Sequence, residues 1–217
     1  MKIMGLDIEL FNHASVMIKN KKLIYIDPFQ LADGHHLEKA DIVLITHSHY
    51  DHCSPNDVDL VSDENTLIIT VPDAQSKLNH LKVKGITVIE PGKTIKVNDE
   101  KITAVPAYNI NKWRSEGIPY HPKDNGWVGF IIEMSSVRVY HAGDTDLIPE
   151  MKDIETDIAF LPVGGTYTMN AEEAAQATKT FKKCKIAIPM HYGTIIGSGS
   201  DAELFKEKAG CEVKLLM

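Results

Sequence analysis

Four side chains of metal-ligand type fall within six residues in Thr46-His47-Ser48-His49-Tyr50-Asp51-His52, directly after the apolar run Asp41-Ile-Val-Leu-Ile-Thr46. This H-x-H-x-D-H pattern constrains the fold more than any other stretch, because it asks for a buried strand that stops where the ligands begin. In extended backbone, residues two apart project to the same side. His47 and His49 can therefore grip one ion. Asp51 and His52 follow where the strand must break into a turn, which leaves them free to point toward a second ion close by. A polar loop that is histidine-rich by chance has to reproduce four ligand types at this spacing, a much rarer event than a lone core histidine.

A length of 217 residues suits a single domain, residues 1–217, with enough chain to bury a core of two or more layers. The formal net charge of -7, from 30 acidic against 23 basic residues, argues against nucleic acid or an anionic membrane surface as a partner. Cys53, Cys184 and Cys211 show no C-x-x-C spacing, so a disulfide framework is not expected and a reducing compartment is favoured. Cys53, beside His52, reads as a small buried hydrophobe and not as a ligand. The N-terminal stretch from Met1 to Phe11 alternates apolar and polar residues, and no later run approaches membrane-spanning length. The expectation is a soluble cytoplasmic protein, with no internal repeat, low-complexity tract or linker.

Strands are expected over 6–11, 14–19, 22–27, 41–46, 66–70, 86–90, 93–97, 101–105, 128–134, 137–141, 157–162 and 185–190. Helices are expected over 56–62, opened by Ser54-Pro55, and over 72–81, 171–181 and 202–208. Apolar strands end repeatedly at a ligand-type residue: Ile26-Asp27, Thr46-His47, Ala142-Gly143-Asp144 and Met190-His191. Neighbouring strands of one sheet that end on the same side would gather these groups on loops held by a rigid scaffold. The fold class that follows is a layered α/β sandwich.

H-x-H-x-D-H after a strand, His141-Ala-Gly-Asp144-Thr later and Pro189-Met-His191-Tyr-Gly near the end resemble the metallo-β-lactamase superfamily in order and spacing, over nearly the whole chain. Phe11-Asn-His13-Ala-Ser-Val, Tyr25-Ile-Asp27-Pro-Phe and Leu161-Pro-Val-Gly-Gly165 resemble the branch containing ascorbate-6-phosphate lactonase and N-acyl-phosphatidylethanolamine phospholipase D. The resemblance implies a four-layered αββα sandwich with two metal ions, the first held by His47 and His49, the second by Asp51, His52 and His191, with Asp144 bridging. The family usually adds a histidine to the first ion, shortly after the strand that here ends in Ala107, but this chain has Tyr108-Asn109 there. His121, in the same loop, is assigned as that ligand over Asn109, whose neutral amide oxygen is a weak zinc donor. His13 and Asp27 are expected beside the site as partners of ligating imidazoles. His141 reads as a satisfied core histidine, and His35, His36 and His80 read as surface residues.

Neutral imidazoles and carboxylates suit zinc, with manganese or iron as alternatives, and a bridging carboxylate screens two dications that would otherwise repel. Water held between them ionises near neutral pH, so the expected chemistry is metal-assisted hydrolysis by a bridging hydroxide, with Asp51, His52 and Asp144 at the reacting centre. The superfamily's diiron oxygen reductases carry Glu at the position of His49, which favours a hydrolase over a redox site. Two alternatives stand beside it: a small RNA-processing endonuclease of the same superfamily, and a metal-binding module without turnover. The stretch from Ala107 to Gly126 lacks strand or helix periodicity and reads as a substrate-binding loop. Its Lys112, Arg114 and Lys123 favour a small anionic ester, lactone or phosphodiester, and a homo-oligomer fits the same branch. Gly197-Ser-Gly199-Ser-Asp-Ala202 is not a dinucleotide fingerprint, because Ser200 with Glu203 reads as a helix cap. Pro91-Gly-Lys-Thr94 lacks the earlier glycine of a phosphate loop, and no G-x-S-x-G is present for a serine nucleophile.

Overall fold

Two kinds of connection, tight turns and helical crossovers, decide how the strands pair. The computed structural model describes residues 1–31 and 37–216, and the chain forms two compact units, Met1–Glu90 with Leu216–Met217 and Pro91–Leu215. In the first unit, β1 (Lys2–Ile3), β2 (Leu6–Leu10), β3 (Val16–Lys19) and β4 (Leu23–Ile26) are joined by turns too short for anything but antiparallel pairing. Met4 and Gly5, at φ 50° and 86°, make the first of these turns. From β4 onward, β5 (Ile42–Leu44), β6 (Leu67–Thr70) and β7 (Gly85–Val88) add in parallel. The β5–β6 and β6–β7 crossovers carry α1 (Pro55–Val61) and α2 (Pro72–Leu78). Every residue of β4 and β5 is buried, as expected for strands covered on both faces, whereas β2 begins in alternation.

The second unit repeats the scheme. Here β8 (Thr94–Val97), β9 (Glu100–Pro106), β12 (Val128–Met134) and β13 (Val137–His141) form the antiparallel part, then β14 (Ile158–Pro162), β15 (Ile186–Met190) and β16 (Glu212–Val213) add in parallel. α3 (Ala171–Thr180) and α4 (Gly199–Lys208) lie in the crossovers. A separate two-stranded ribbon, β10 (Trp113–Ser115) with β11 (Ile118–Pro119), interrupts the β9–β12 connection. Among the described residues each main sheet thus has seven strands, with three antiparallel joins followed by three parallel ones. The sequence carries no repeat that announces this duplication.

All the expected strands form, most of them one or two residues shorter at their ends. Ser54 caps α1 as expected: its Oγ accepts from the Asp57 N–H at 3.4 Å and donates to the Asp57 carboxylate at 2.6 Å. The Ser135-Ser136 hairpin adopts φ 49° and 65°, the left-handed pair that matches strand twist. Three expectations are corrected. α2 stops at Leu78, three residues early. α4 starts at Gly199, and Asp201, not Glu203, closes the cap by accepting from the Ser198 N–H at 2.7 Å. The 107–126 stretch is not structureless, since β10 and β11 lie within it. His80 is exposed, while His35 and His36 lie outside the described residues. No helix among the described residues is long and apolar enough to cross a membrane.

Gly129 on β12 is a point of close backbone approach, because a Cβ there would sit 2.6 Å from the His141 carbonyl oxygen and 2.7 Å from that of Ala142. Those carbonyls belong to the segment that leads β13 into Asp144, so the strands must part before any side chain fits. Gly129→Ala is expected to cost about 1–3 kcal/mol as an overpacked site, read as a lower urea midpoint. A midpoint equal to the wild type's would show that this contact yields freely.

Candidate metal centre

Asp27, immediately after β4, organises the ligand-type side chains of the first unit. Its φ of 47° is left-handed, and its carboxylate is fully buried. Oδ1 accepts from the Thr46 N–H at 2.8 Å, and Oδ2 accepts from the Thr46 hydroxyl at 2.6 Å and from His52 Nδ1 at 2.8 Å. Since the Thr46 hydroxyl proton goes to Asp27, its oxygen is left to accept from His47 Nδ1, 2.9 Å away. Both rings therefore carry their proton on Nδ1. Their Nε2 atoms present lone pairs, the form in which imidazole binds metal. The ligand-type atoms of Asp27, His47 and His52 lie within 4.8 Å of one another.

His47 Nε2 and His49 Nδ1 face each other at 3.1 Å. Two nitrogens bound to one zinc at tetrahedral angles stand about 3.3 Å apart, so the pair already has the separation that a shared ion needs. The backbone between them is braced by α2: the Ser48 hydroxyl donates to Asp73 at 2.6 Å, and Lys77 donates to the Ser48 carbonyl at 2.5 Å. Asp51 lies 3.2 Å from His13 Nε2 and 3.9 Å from His52 Nε2. His13 is also left-handed, at φ 57°, and its ring meets those of Phe29 and His52 edge-on. Cys53 is buried, and burial pushes its thiol up to about 12, in keeping with a packing role.

In the second unit the parallel strands β13 and β15 deliver Asp144 and His191. Asp144 Oδ2 lies 3.1 Å from His191 Nε2 and 3.1 Å from His121 Nε2, again the spacing of ligands on one ion. His191 takes φ 59°, and a Cβ on Gly164 would come within 2.4 Å of its carbonyl oxygen, so this turn depends on a glycine neighbour. Asn109 Oδ1 accepts from His121 Nδ1 at 2.9 Å and from the His121 N–H at 2.8 Å. Its Nδ2 donates to Asp146 at 3.1 Å and to the Tyr167 carbonyl at 2.9 Å. Both ends of the Asn109 amide are thus engaged in holding His121, whose Nε2 is directed to Asp144.

Asp146 escaped the sequence reading. It accepts from the Ile110 and Asn111 N–H groups at 2.7 and 2.8 Å and so fixes the start of the loop. The only signal was its place two residues after Asp144. His141 is buried as expected, with Nδ1 accepting from the Gly143 N–H at 3.2 Å. The loop cations are largely spoken for. Lys112 pairs with Glu173 at 2.8 Å and lies 3.6 Å from Asp146, and Lys123 pairs with Glu150 at 2.9 Å while lying over the Tyr108 ring. Burial works to raise the Glu173 carboxyl, but Lys112, the Asn170 N–H and the Asn111 amide outweigh it and hold it below the usual range. Arg114, Trp113 and Ile118 are exposed on the ribbon.

Residues 7–191 match the family model described as Beta-lactamase superfamily domain. A Thermococcus onnurineus protein named UPF0173 metal-dependent hydrolase is 34% identical over 97% of this chain and 95% of its own length. A Thermoplasma acidophilum protein of the same family name is 35% identical, over 91% of this chain and 88% of that one. Among solved structures, a Parabacteroides distasonis protein superposes with a TM-score of 0.82 at 38% identity, covering 98% of this chain and 94% of that one. Igni18, described as a metallo hydrolase from Ignicoccus hospitalis, superposes with a TM-score of 0.74 at 27% identity, covering 97% and 94%.

Asp27→Asn keeps the shape of the side chain but replaces one acceptor oxygen with an N–H donor among three donors. At least one buried donor is left unmet, at an expected cost of about 1–3 kcal/mol, measured by chemical denaturation of metal-stripped protein. Wild-type stability in that variant would mean that Thr46 and His52 find other partners.

Proposed function

The chain belongs to the metallo-β-lactamase superfamily, has that fold, and is a metal-dependent hydrolase of the UPF0173 family; on this premise we propose that residues 1–217 work as one cytoplasmic domain that cleaves a small ester, lactone or phosphodiester with two divalent ions, preferentially zinc. In this proposal His47, His49 and His121 would hold the first ion, Asp51, His52 and His191 would hold the second, and Asp144 would be shared. The observation that carries it is the orientation of the imidazoles. Thr46, Asp27 and Asn109 occupy the Nδ1 atoms of His47, His52 and His121, so each ring offers Nε2. The separations near 3.1 Å within each unit fit the donor spacing of a tetrahedral zinc site. When bound, such ions supply a hydroxide nucleophile at neutral pH and polarise the scissile carbonyl or phosphoryl bond.

The residues of the chain do the rest. The Asp27 carboxylate holds the His52 ring and strengthens it as a donor through the bond at Nδ1, as outer partners of metal-binding histidines do. Asn109 fixes His121 at the base of the β10–β11 ribbon, where the Asn109 N–H also donates to the His121 carbonyl at 2.8 Å. The preference for an anionic substrate now rests on Arg114, because Lys112 and Lys123 have carboxylate partners. The likeness of Phe11-Asn-His13-Ala and Leu161-Pro-Val-Gly-Gly165 to the lactonase and phosphodiesterase branch supports the choice of bond.

Elemental analysis of protein purified without added metal is expected to give two ions per chain, and Asp144→Ala is expected to lose both. Content well below one that zinc or manganese cannot restore would sink the binuclear reading, and loss of a single ion in Asp144→Ala would remove Asp144 as the shared ligand. Asn109→Ala is expected to weaken metal binding about 10–100-fold, as loss of an outer partner does, whereas His121→Ala should empty the first site and abolish hydrolysis. Full metal content and unaltered turnover in His121→Ala would overturn its assignment. Turnover of lactones, phosphodiesters and neutral anilides should favour the first two groups, and a preference for the anilides would reject the substrate class.

A further inference from the structure

Cys184 lies two residues before β15 and Cys211 one residue before β16, two strands that pair in parallel only through Ile186↔Glu212 and Ala187↔Val213. Running that register back one step sets Cys211 beside Lys185, so the two cysteines face diagonally across the strand pair. Their Sγ atoms are 3.5 Å apart, with Cys184 Sγ also 3.6 Å from the Ile186 carbonyl oxygen. A disulfide needs about 2.05 Å between sulfurs, so bond formation asks for roughly 1.5 Å of approach, within the reach of side-chain rotation. The approach to β16 is tied down by the Gly210 N–H, which donates to the Thr178 hydroxyl at 2.8 Å. Both cysteines are partly exposed, whereas Cys53 is buried.

We propose that Cys184 and Cys211 form a reversible dithiol–disulfide site, oxidised by exchange with a low-molecular-weight disulfide such as oxidised glutathione. The Cys211 thiolate attacks one sulfur of the small disulfide, whose S–S bond breaks and releases one thiol. Cys184 then loses its proton and attacks Cys211 Sγ, expelling the second small thiol. The pair gives up two electrons and two protons, and the small disulfide is reduced to two thiols. Cys211 is the better first nucleophile, because the bond from Cys184, opposed by burial but helped by the Thr178 hydroxyl, holds its thiol below the usual range. The resulting bridge joins positions 27 apart and closes a loop that contains His191 and α4. It would staple an edge strand that is otherwise held by a short ladder.

The test treats the full chain with oxidised glutathione, alkylates the remaining thiols and measures intact mass and linked peptides. The expected result is a mass lower by two hydrogens, two of the three thiols protected, one peptide pair joining Cys184 to Cys211, and full reversal by dithiothreitol. A stable glutathione adduct as the end product, a bridge between chains, a bridge to Cys53, or three thiols that all remain alkylatable would each overturn the proposal. Cys184→Ser is expected to halt at the mixed disulfide on Cys211, and unmodified Cys211 in that variant would reject it as the first nucleophile. The oxidised wild type should melt about 5 °C or more above the reduced form. Equal melting temperatures would remove the stapling role.

Discussion

One buried carboxylate sets the chemistry of the first unit. A buried charge is expensive unless it is bonded from several sides, and Asp27 meets that demand with a backbone N–H, a hydroxyl and an imidazole. Each of these bonds has a second effect. The amide bond fixes where β5 gives way to the histidine motif, the hydroxyl bond turns the Thr46 oxygen toward His47, and the imidazole bond fixes the tautomer of His52. One carboxylate thereby determines which nitrogen two neighbouring histidines present.

The second unit reaches a similar outcome by other means. Asn109 holds His121 as Asp27 holds His52, with a carbonyl oxygen on Nδ1. An amide carries no charge, so it orients the ring without adding the electrostatic push of a carboxylate. Both units put ligand-type residues beyond the ends of parallel strands: His47 after β5, Asp144 after β13, His191 after β15. That recurrence follows from the duplicated strand scheme, in which the parallel joins leave strand ends side by side and facing one way.

What the sequence revealed was local. H-x-H-x-D-H could be read because its ligands lie within six residues, and the longer strands because apolar runs and turn residues bound them. The strands β1, β10, β11 and β16, two or three residues long, give no periodicity to detect. The early end of α2 and the shift of the α4 cap from Ser200 to Ser198 are errors of boundary, where neighbouring serines and acids offer rival caps. Pairings across long separations were out of reach. Lys112 meets Glu173 from 61 positions away, so three loop cations looked available when two were already engaged. Asn109 reads in the sequence only as a rival to His121, since nothing in its position says that the amide and the ring would bond.

His13 and His191 share one property that has nothing to do with their nitrogens, which is that their backbones are left-handed, at φ 57° and 59°. A side chain with a Cβ costs up to roughly 1–2 kcal/mol there, less for asparagine, aspartate and histidine than for bulky or β-branched residues, and least for glycine. The chain therefore carries a backbone cost at both positions together with the imidazole that each one holds. Glycine at either position would relieve the backbone, but both rings are buried, and removing one leaves a cavity whose cost works against that relief. Each of these two turns therefore ties its backbone geometry to the ring it carries, so neither can be exchanged without upsetting the other.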